Sequence, residues 1–142
     1  KKLDVFLNNF KKTNKPILGI CLGMQIMCKY SEEDGGAEGL GWFNLNVKKF
    51  DIKKIKKIPV IGWNEVKLKK NIILKDIPDK SSFYFLHSYY VNQNKKYTIG
   101  KSRIKLFYSS IISKKNIYGC QFHPEKSQKI GIKLIKNFIE YC

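Results

Sequence analysis

Cys21 stands between two glycines in Gly19-Ile20-Cys21-Leu22-Gly23-Met24-Gln25, and this is the first stretch whose residue types could do chemistry. Pro16-Ile17-Leu18 before it is apolar enough for a buried strand, and Met24, Ile26, Met27 and Tyr30 after it fit the start of a helix. A thiol at a strand-to-helix turn flanked by glycines is the cysteine form of a nucleophile elbow. Glycines at 19 and 23 are expected to let strand and helix approach closely. The amides that open the helix would then face the sulfur, where they favour a thiolate or a developing oxyanion.

The matching half lies far along the chain, at Gln121-Phe122-His123-Pro124-Glu125. Tyr118 to Phe122 is an apolar strand run, and in an open α/β sheet reactive groups collect at the carboxyl ends of strands. There His123 could take the thiol proton and later protonate a leaving amine. Glu125 could orient the ring, provided Pro124 keeps the backbone extended and both side chains project the same way. Each residue has a plainer use as well. Cys21 could be a core thiol, His123 a strand-end histidine, and Glu125 an acid placed for a helix dipole. The only other histidine, His87, lies in the aromatic run Phe83-Tyr84-Phe85-Leu86-His87-Ser88-Tyr89-Tyr90 and is a weaker second candidate for the base.

Elements must position these groups. Leu3, Phe6, Leu7 and Phe10 recur with helical spacing, and Asn14 and Pro16 end that helix. Strand 16–20, the elbow and a helix to about Tyr30 follow. Cys28 is expected inside that helix and Cys120 in a strand, both as core. Ser31 to Gly41 carries four glycines and several acids and reads as a loop. From Trp42 to about Tyr118 the pattern is mostly β. It includes strands at Leu45–Val47 and Val66–Leu68, one long strand from Ser82 to Val91, and runs at 104–112 and 116–122. A helix starts near Ser127, a candidate N-cap, with Ile132, Leu134, Ile135, Phe138 and Ile139 as its apolar stripe. The fold class is α/β: an open, mostly parallel sheet flanked by helices, with an antiparallel β extension.

Composition narrows the function classes. At 142 residues and 43% hydrophobic, the chain suits one globular domain. No apolar run approaches the ~20 residues of a membrane span, so no membrane partner is expected. The four cysteines have no C-x-x-C spacing, which argues against a zinc site; neither metal nor other cofactor is expected. With no secretory segment visible, reduced thiols and a cytoplasmic location are expected. The net charge of +17 raises a nucleic-acid partner, but all but one of the 28 basic residues are lysine, the exception being Arg103. Bidentate phosphate and base recognition favours arginine. The lysines are also dispersed, the densest cluster being Lys48 to Lys57, so a solvated surface and no nucleic acid is the expectation.

Gly-Ile-Cys-Leu-Gly-Met-Gln together with Gln-Phe-His-Pro-Glu resembles the class I glutamine amidotransferases. Glu38-Gly39-Leu40-Gly41, Gly62-Trp63-Asn64-Glu65, Phe85-Leu86-His87-Ser88-Tyr89-Tyr90 and His123-Pro124-Glu125-Lys126-Ser127 follow the order of the HisH-type glutaminase subunits of imidazole glycerol phosphate synthase. The resemblance implies hydrolysis of glutamine to glutamate and ammonia, with Cys21 as nucleophile, His123 as base and Glu125 as its partner. It makes the Leu22 amide an oxyanion donor and Gln25, His87, Ser88 and Tyr89 substrate contacts. It also implies a heterodimer with a HisF-type cyclase, a (β/α)8 barrel that takes the ammonia for histidine biosynthesis, with Trp63, Asn64 and Lys126 near that interface. Trp63 has a core aromatic as its alternative use. In the family, further strands and a Pro-Gly loop with a second oxyanion amide precede this point. The 142 residues are therefore expected to form one glutaminase domain lacking its N-terminal part. Val60 stands where the family often has histidine, which keeps open a glutaminase subunit of a surface-sugar amidotransferase; a chain without the second oxyanion amide keeps open a non-catalytic partner-binding scaffold.

Overall fold

Residues 2–55 and 57–142 are described by a computed structural model. Lys56, part of the basic cluster, lies outside them. Helix α1 (Lys2–Lys12) forms where the helical spacing predicts it, but it buries no residue; Leu7 alone of its stripe packs against the core. Strand β1 (Ile17–Ile20) follows, then the short helix α2 (Leu22–Ile26).

The helix expected to run to Tyr30 stops after one turn and a half. Cys28–Ser31 is a strand, β2, and Cys28 is core from that strand rather than from a helix. The reason is competition for backbone partners. The Ile26, Met27, Cys28 and Lys29 carbonyls accept from Leu40, Phe43, Gly41 and Gly39, so segment 39–43 captures the groups a longer helix would use. The glycine-rich segment is accordingly more than a loop. It holds a 3-10 turn at Glu33–Gly35 and a two-residue strand, β3 (Ala37–Glu38), on the edge of β2.

The remaining strands are β4 (Phe43–Lys49), β5 (Val60–Leu68), β6 (Ser81–His87), β7 (Tyr89–Asn92), β8 (Thr98–Ile104), β9 (Leu106–Lys114) and β10 (Ile117–Cys120), followed by α3 (Gln128–Tyr141). The single strand expected over 82–91 is broken at Ser88. β6 pairs with β5, whereas β7 leaves to pair with β4 and β9. One sheet results, ordered β3-β2-β4-β7-β9-β8-β5-β6, with β10 on β9 and β1 on β10.

The α/β class with its antiparallel extension is as expected. Among the described strands the parallel pairings are β1 with β10 and β2 with β4, and the extension makes up the rest. β8 takes one edge of β9, and the other edge is shared. β10 occupies it at Ile111–Lys114 and β7 at Tyr108–Ser109, so the sheet forks between them. One core cluster packs Phe83, Phe85, Tyr108, Phe122 and Leu134 beneath α3; the other packs Met24, Met27, Phe43, Val91 and Ile112 beneath α2.

Candidate functional site

The elbow is built by one close approach. A Cβ on Gly19 would lie 2.6 Å from the Gly23 carbonyl carbon and collide with the Met27 side chain, so only glycine lets β1 pass under α2. Gly23 contributes less than expected: a Cβ there would meet nothing within 4 Å. Cys21 itself has φ 50° and ψ −106°, a strained conformation for a residue with a Cβ, of the kind concentrated at reactive positions. Its N–H is held by the Cys120 carbonyl at 2.7 Å, which ties the end of β1 to the end of β10.

β1 and β10 run parallel in register, Ile20 beside Cys120, so residues 21 and 123 emerge at the same end of the sheet. The His123 N–H donates to the Tyr84 carbonyl at 2.9 Å. Pro124–Lys126 is a 3-10 turn rather than the extended segment expected, and this tighter path still brings Glu125 to the ring. Glu125 Oε1 lies 2.7 Å from His123 Nδ1. Ser127 is almost fully buried and does not cap α3 with its side chain. Its Oγ donates instead to the His123 carbonyl at 2.6 Å and accepts from the Tyr84 N–H at 3.0 Å. A Cβ on Gly131 would collide with the Pro124 carbonyl, so α3 presses directly on this turn.

The sulfur's surroundings are polar. Sγ donates to the Leu86 carbonyl at 3.7 Å and accepts from Gln121 Nε2 at 3.8 Å. Among the described residues no hydrogen bond joins Sγ to the His123 ring, although both groups emerge at the same end of the sheet. Burial pushes the thiol pKa up, the Leu22 backbone N–H and the Gln121 amide pull it down, and the charges of Glu125 and Glu33 add to the rise. With only five residues in α2, the local N–H donors matter more than any helix dipole.

A cleft of about 310 Å³ opens at the sulfur, lined by Cys21, Leu22, Gln25, Glu33, Pro59, Leu86, His87, Ser88 and Tyr89. That is the small end of ligand pockets. Six of the residues singled out from the sequence thus meet in one cavity. Gln25 is buried, with Nε2 on the Tyr89 carbonyl at 3.4 Å and on Gln121 Oε1 at 3.0 Å. His87 donates from Nδ1 to the same carbonyl at 2.6 Å, which fixes Nε2 as its unprotonated nitrogen. Burial pushes its pKa down to about 4. His87 therefore stands neutral within an aromatic cluster of Phe50, Phe85 and Tyr108. A larger cleft of about 490 Å³, lined by Leu68, Asn71, Leu74 and Asp79 among others, has no cysteine, serine or histidine in its lining.

Trp63 is half exposed on β5, and Lys126 is exposed on the turn after His123. Asn64 points the other way, its Nδ2 3.5 Å from the Tyr108 hydroxyl. Gln121 and Ser127 were not singled out by their chemistry. For Gln121 the available signal was a polar residue inside an apolar run, which must find a buried partner; Ser127, in a polar stretch, offered only its N-cap chemistry. Among the described residues no group of three His, Cys, Asp or Glu side chains is placed to hold a metal ion.

The fold is thus an α/β sheet with a cysteine at a strand-to-helix elbow on a parallel strand and a His-Glu pair at the end of the neighbouring one. The family of glutamine amidotransferase class-I matches residues 3–141, and this chain belongs to it. It is 48% identical over 126 residues to imidazole glycerol phosphate synthase subunit HisH of Methanocaldococcus jannaschii, covering 88% of this chain and 63% of that protein. To the HisH subunit of Buchnera aphidicola it is 43% identical over 135 residues, 94% of this chain and 68% of the relative. The chain thus spans roughly two thirds of the length of these relatives, somewhat less for the first. Two solved structures share the fold. A glutamine amidotransferase from Thermotoga maritima has a TM-score of 0.63 at 21% identity, covering 98% of this chain and 51% of that one. PurLQS from the same organism has a TM-score of 0.69 at 17% identity, covering 99% and 68%.

Proposed function

We propose that this chain is the glutaminase part of an imidazole glycerol phosphate synthase. It would release ammonia from glutamine through Cys21, His123 and Glu125 and pass it to a HisF-type cyclase. The observation that carries the proposal is the strained Cys21 at the end of β1, in register with the strand end that presents the His123–Glu125 pair. Family membership and the HisH relatives supply the substrate and partner.

In this mechanism the thiol leaves the Leu86 carbonyl and gives its proton to His123 Nε2. The Glu125 carboxylate accepts from Nδ1–H and so keeps Nε2 free as the base. The thiolate adds to the side-chain amide carbon of glutamine, and the Leu22 N–H donates to the resulting oxyanion. The C–N bond breaks as His123 returns the proton to nitrogen, leaving ammonia and a thioester. Water, deprotonated by His123, then hydrolyses the thioester to glutamate. The cleft residues Gln25, His87, Ser88 and Tyr89 would shape the space for the amino acid.

The stripe Ile61, Trp63 and Leu86 is exposed beside the elbow and would meet the cyclase, with Lys126 nearby. A cytoplasmic setting suits four unpaired thiols. The test is glutamine-dependent ammonia release measured with and without a cyclase. Release that survives Cys21→Ala, or that the native chain lacks even with its partner, would overturn the proposal.

A further inference from the structure

We propose that Gln121 is a positioning residue for the Cys21 sulfur: its side-chain amide, locked in one orientation by Gln25, presents an N–H to the thiolate. The use of that thiolate rests on the glutaminase reading above; the contact itself does not.

A carbonyl oxygen only accepts, so the end of Gln25 that lies against the Tyr89 carbonyl must be its NH2 group. The same nitrogen reaches Gln121 at 3.0 Å, which must therefore turn its oxygen toward Gln25. The NH2 of Gln121 is left facing Sγ at 3.8 Å. Two amides and one backbone carbonyl thus fix a donor on the sulfur.

The setting makes the donor effective. Gln121 is fully buried and Gln25 nearly so, which shields the contact between the two amides from water. The backbone around Gln121 is pinned on both sides, by Cys21 N–H on the Cys120 carbonyl and by its own N–H on the Ser110 carbonyl at 2.9 Å. Gln121 directly follows β10, two residues on from Gly119, whose missing Cβ makes room for Met24, the neighbour of Gln25. The network sits at the fork of the sheet, where β10 gives way to β7 along β9.

Deprotonation changes which contacts help. The neutral thiol donates to the Leu86 carbonyl, but a thiolate would face that oxygen as a repulsive dipole. Gln121 and the Leu22 amide then supply the favourable contacts. They work against burial and against the carboxylates of Glu33 and Glu125, with the rings of His87 and His123 also at this end of the sheet.

The experiment reads thiolate formation directly, as the pH dependence of iodoacetamide alkylation resolved by peptide mass. In Gln121→Met the midpoint for Cys21 is expected to rise by about one pH unit, the low end for a charge-assisted hydrogen bond. The Cys142 peptide serves as an unmoved internal reference. Gln25→Met, which frees the amide to turn, is expected to give a smaller rise. An unchanged Cys21 midpoint in folded Gln121→Met overturns the proposal. Should that variant not fold, the side-chain NH2 resonances of Gln121 are followed in the unaltered protein. They are expected to move through the Cys21 midpoint and to stay still in Cys21→Ala; resonances static in the unaltered protein overturn the proposal. Neither readout requires glutamine turnover, so a chain that releases no ammonia would sink the glutaminase reading and leave this one standing.

Discussion

Glu125 Oε1 and His123 Nδ1 lie 2.7 Å apart across the buried Pro124, brought together by the 3-10 turn at Pro124–Lys126. Nδ1 is thereby committed to the carboxylate, and Nε2 is the nitrogen that the proposed mechanism uses for proton transfer. The carboxylate is 47% exposed, so solvent weakens its hold on the ring.

Replacing it by the neutral isostere follows from that geometry. Glu125→Gln can still meet Nδ1, but through either end of its amide, so the tautomer is no longer enforced. Steady-state ammonia release is expected to fall roughly 10- to 100-fold in kcat with KM little changed. That is a smaller loss than for a buried orienting acid, where about 10⁴ is lost. A variant with unaltered kcat would remove Glu125 from the mechanism.

Ser127 is expected to matter for stability first and for activity through the turn it holds. Its hydroxyl joins the Tyr84 N–H to the His123 carbonyl. Ser127→Ala leaves a half-buried N–H without its side-chain acceptor, at about 1–2 kcal/mol in urea unfolding. Gly131→Ala acts on the same turn by collision with the Pro124 carbonyl, and overpacking of this kind costs about 1–3 kcal/mol. Both variants at wild-type stability would mean that the turn is not fixed by these contacts.

His87 predicts an acid limb in stability. Its folded-state pKa is lowered, to about 4, against about 6.5 in an unfolded chain. Above pH 6.5 both states are neutral there and the full stability is present. As pH falls, the unfolded chain takes up the proton first, so stability is lost between 6.5 and about 4, by about 3 kcal/mol in total. Urea midpoints at pH 7, 6 and 5 are expected to fall in the native chain and to fall less in His87→Gln. Parallel curves would show that His87 does not titrate differently on folding.

What was legible in the sequence is what depends on local pattern. The elbow showed in Gly19 and Cys21, and the His-Glu pair in a strand run ending at a proline. What was not legible depends on partners distant in sequence. Residues 26–29 look helical until segment 39–43 takes their carbonyls. The run 82–91 looks like one strand because nothing at Ser88 announces that β7 will leave for β9. Gln25 reads from its own pattern as a helix residue, a substrate contact only through the resemblance, and Gln121 as part of a motif. Their mutual contact appears only when α2 is laid across β10. Ser127 has the chemistry of an N-cap, yet the nearby Tyr84 N–H and His123 carbonyl claim its hydroxyl first.

Trp63 tests the docking face. Register places Ile61 beside Leu86 and Trp63 beside Tyr84, so one side of the β5–β6 ribbon carries a continuous apolar stripe. Trp63 stacks edge-on against Tyr84 at 6.0 Å and leaves half its surface in water, too much for a core role. The stripe adjoins the end of the sheet that carries Cys21, because the Leu86 carbonyl accepts from its sulfur. An exposed tryptophan in such a stripe is the kind of residue on which binding energy concentrates, with losses of about 2 kcal/mol or more on truncation. Trp63→Ala is therefore expected to raise the Kd for the cyclase by roughly 30-fold or more while shifting folding stability by less than about 0.5 kcal/mol. Titrating the cyclase against ammonia release checks this: the curve should move to higher partner concentration and recover at saturation. A curve that does not move would place the partner on another face.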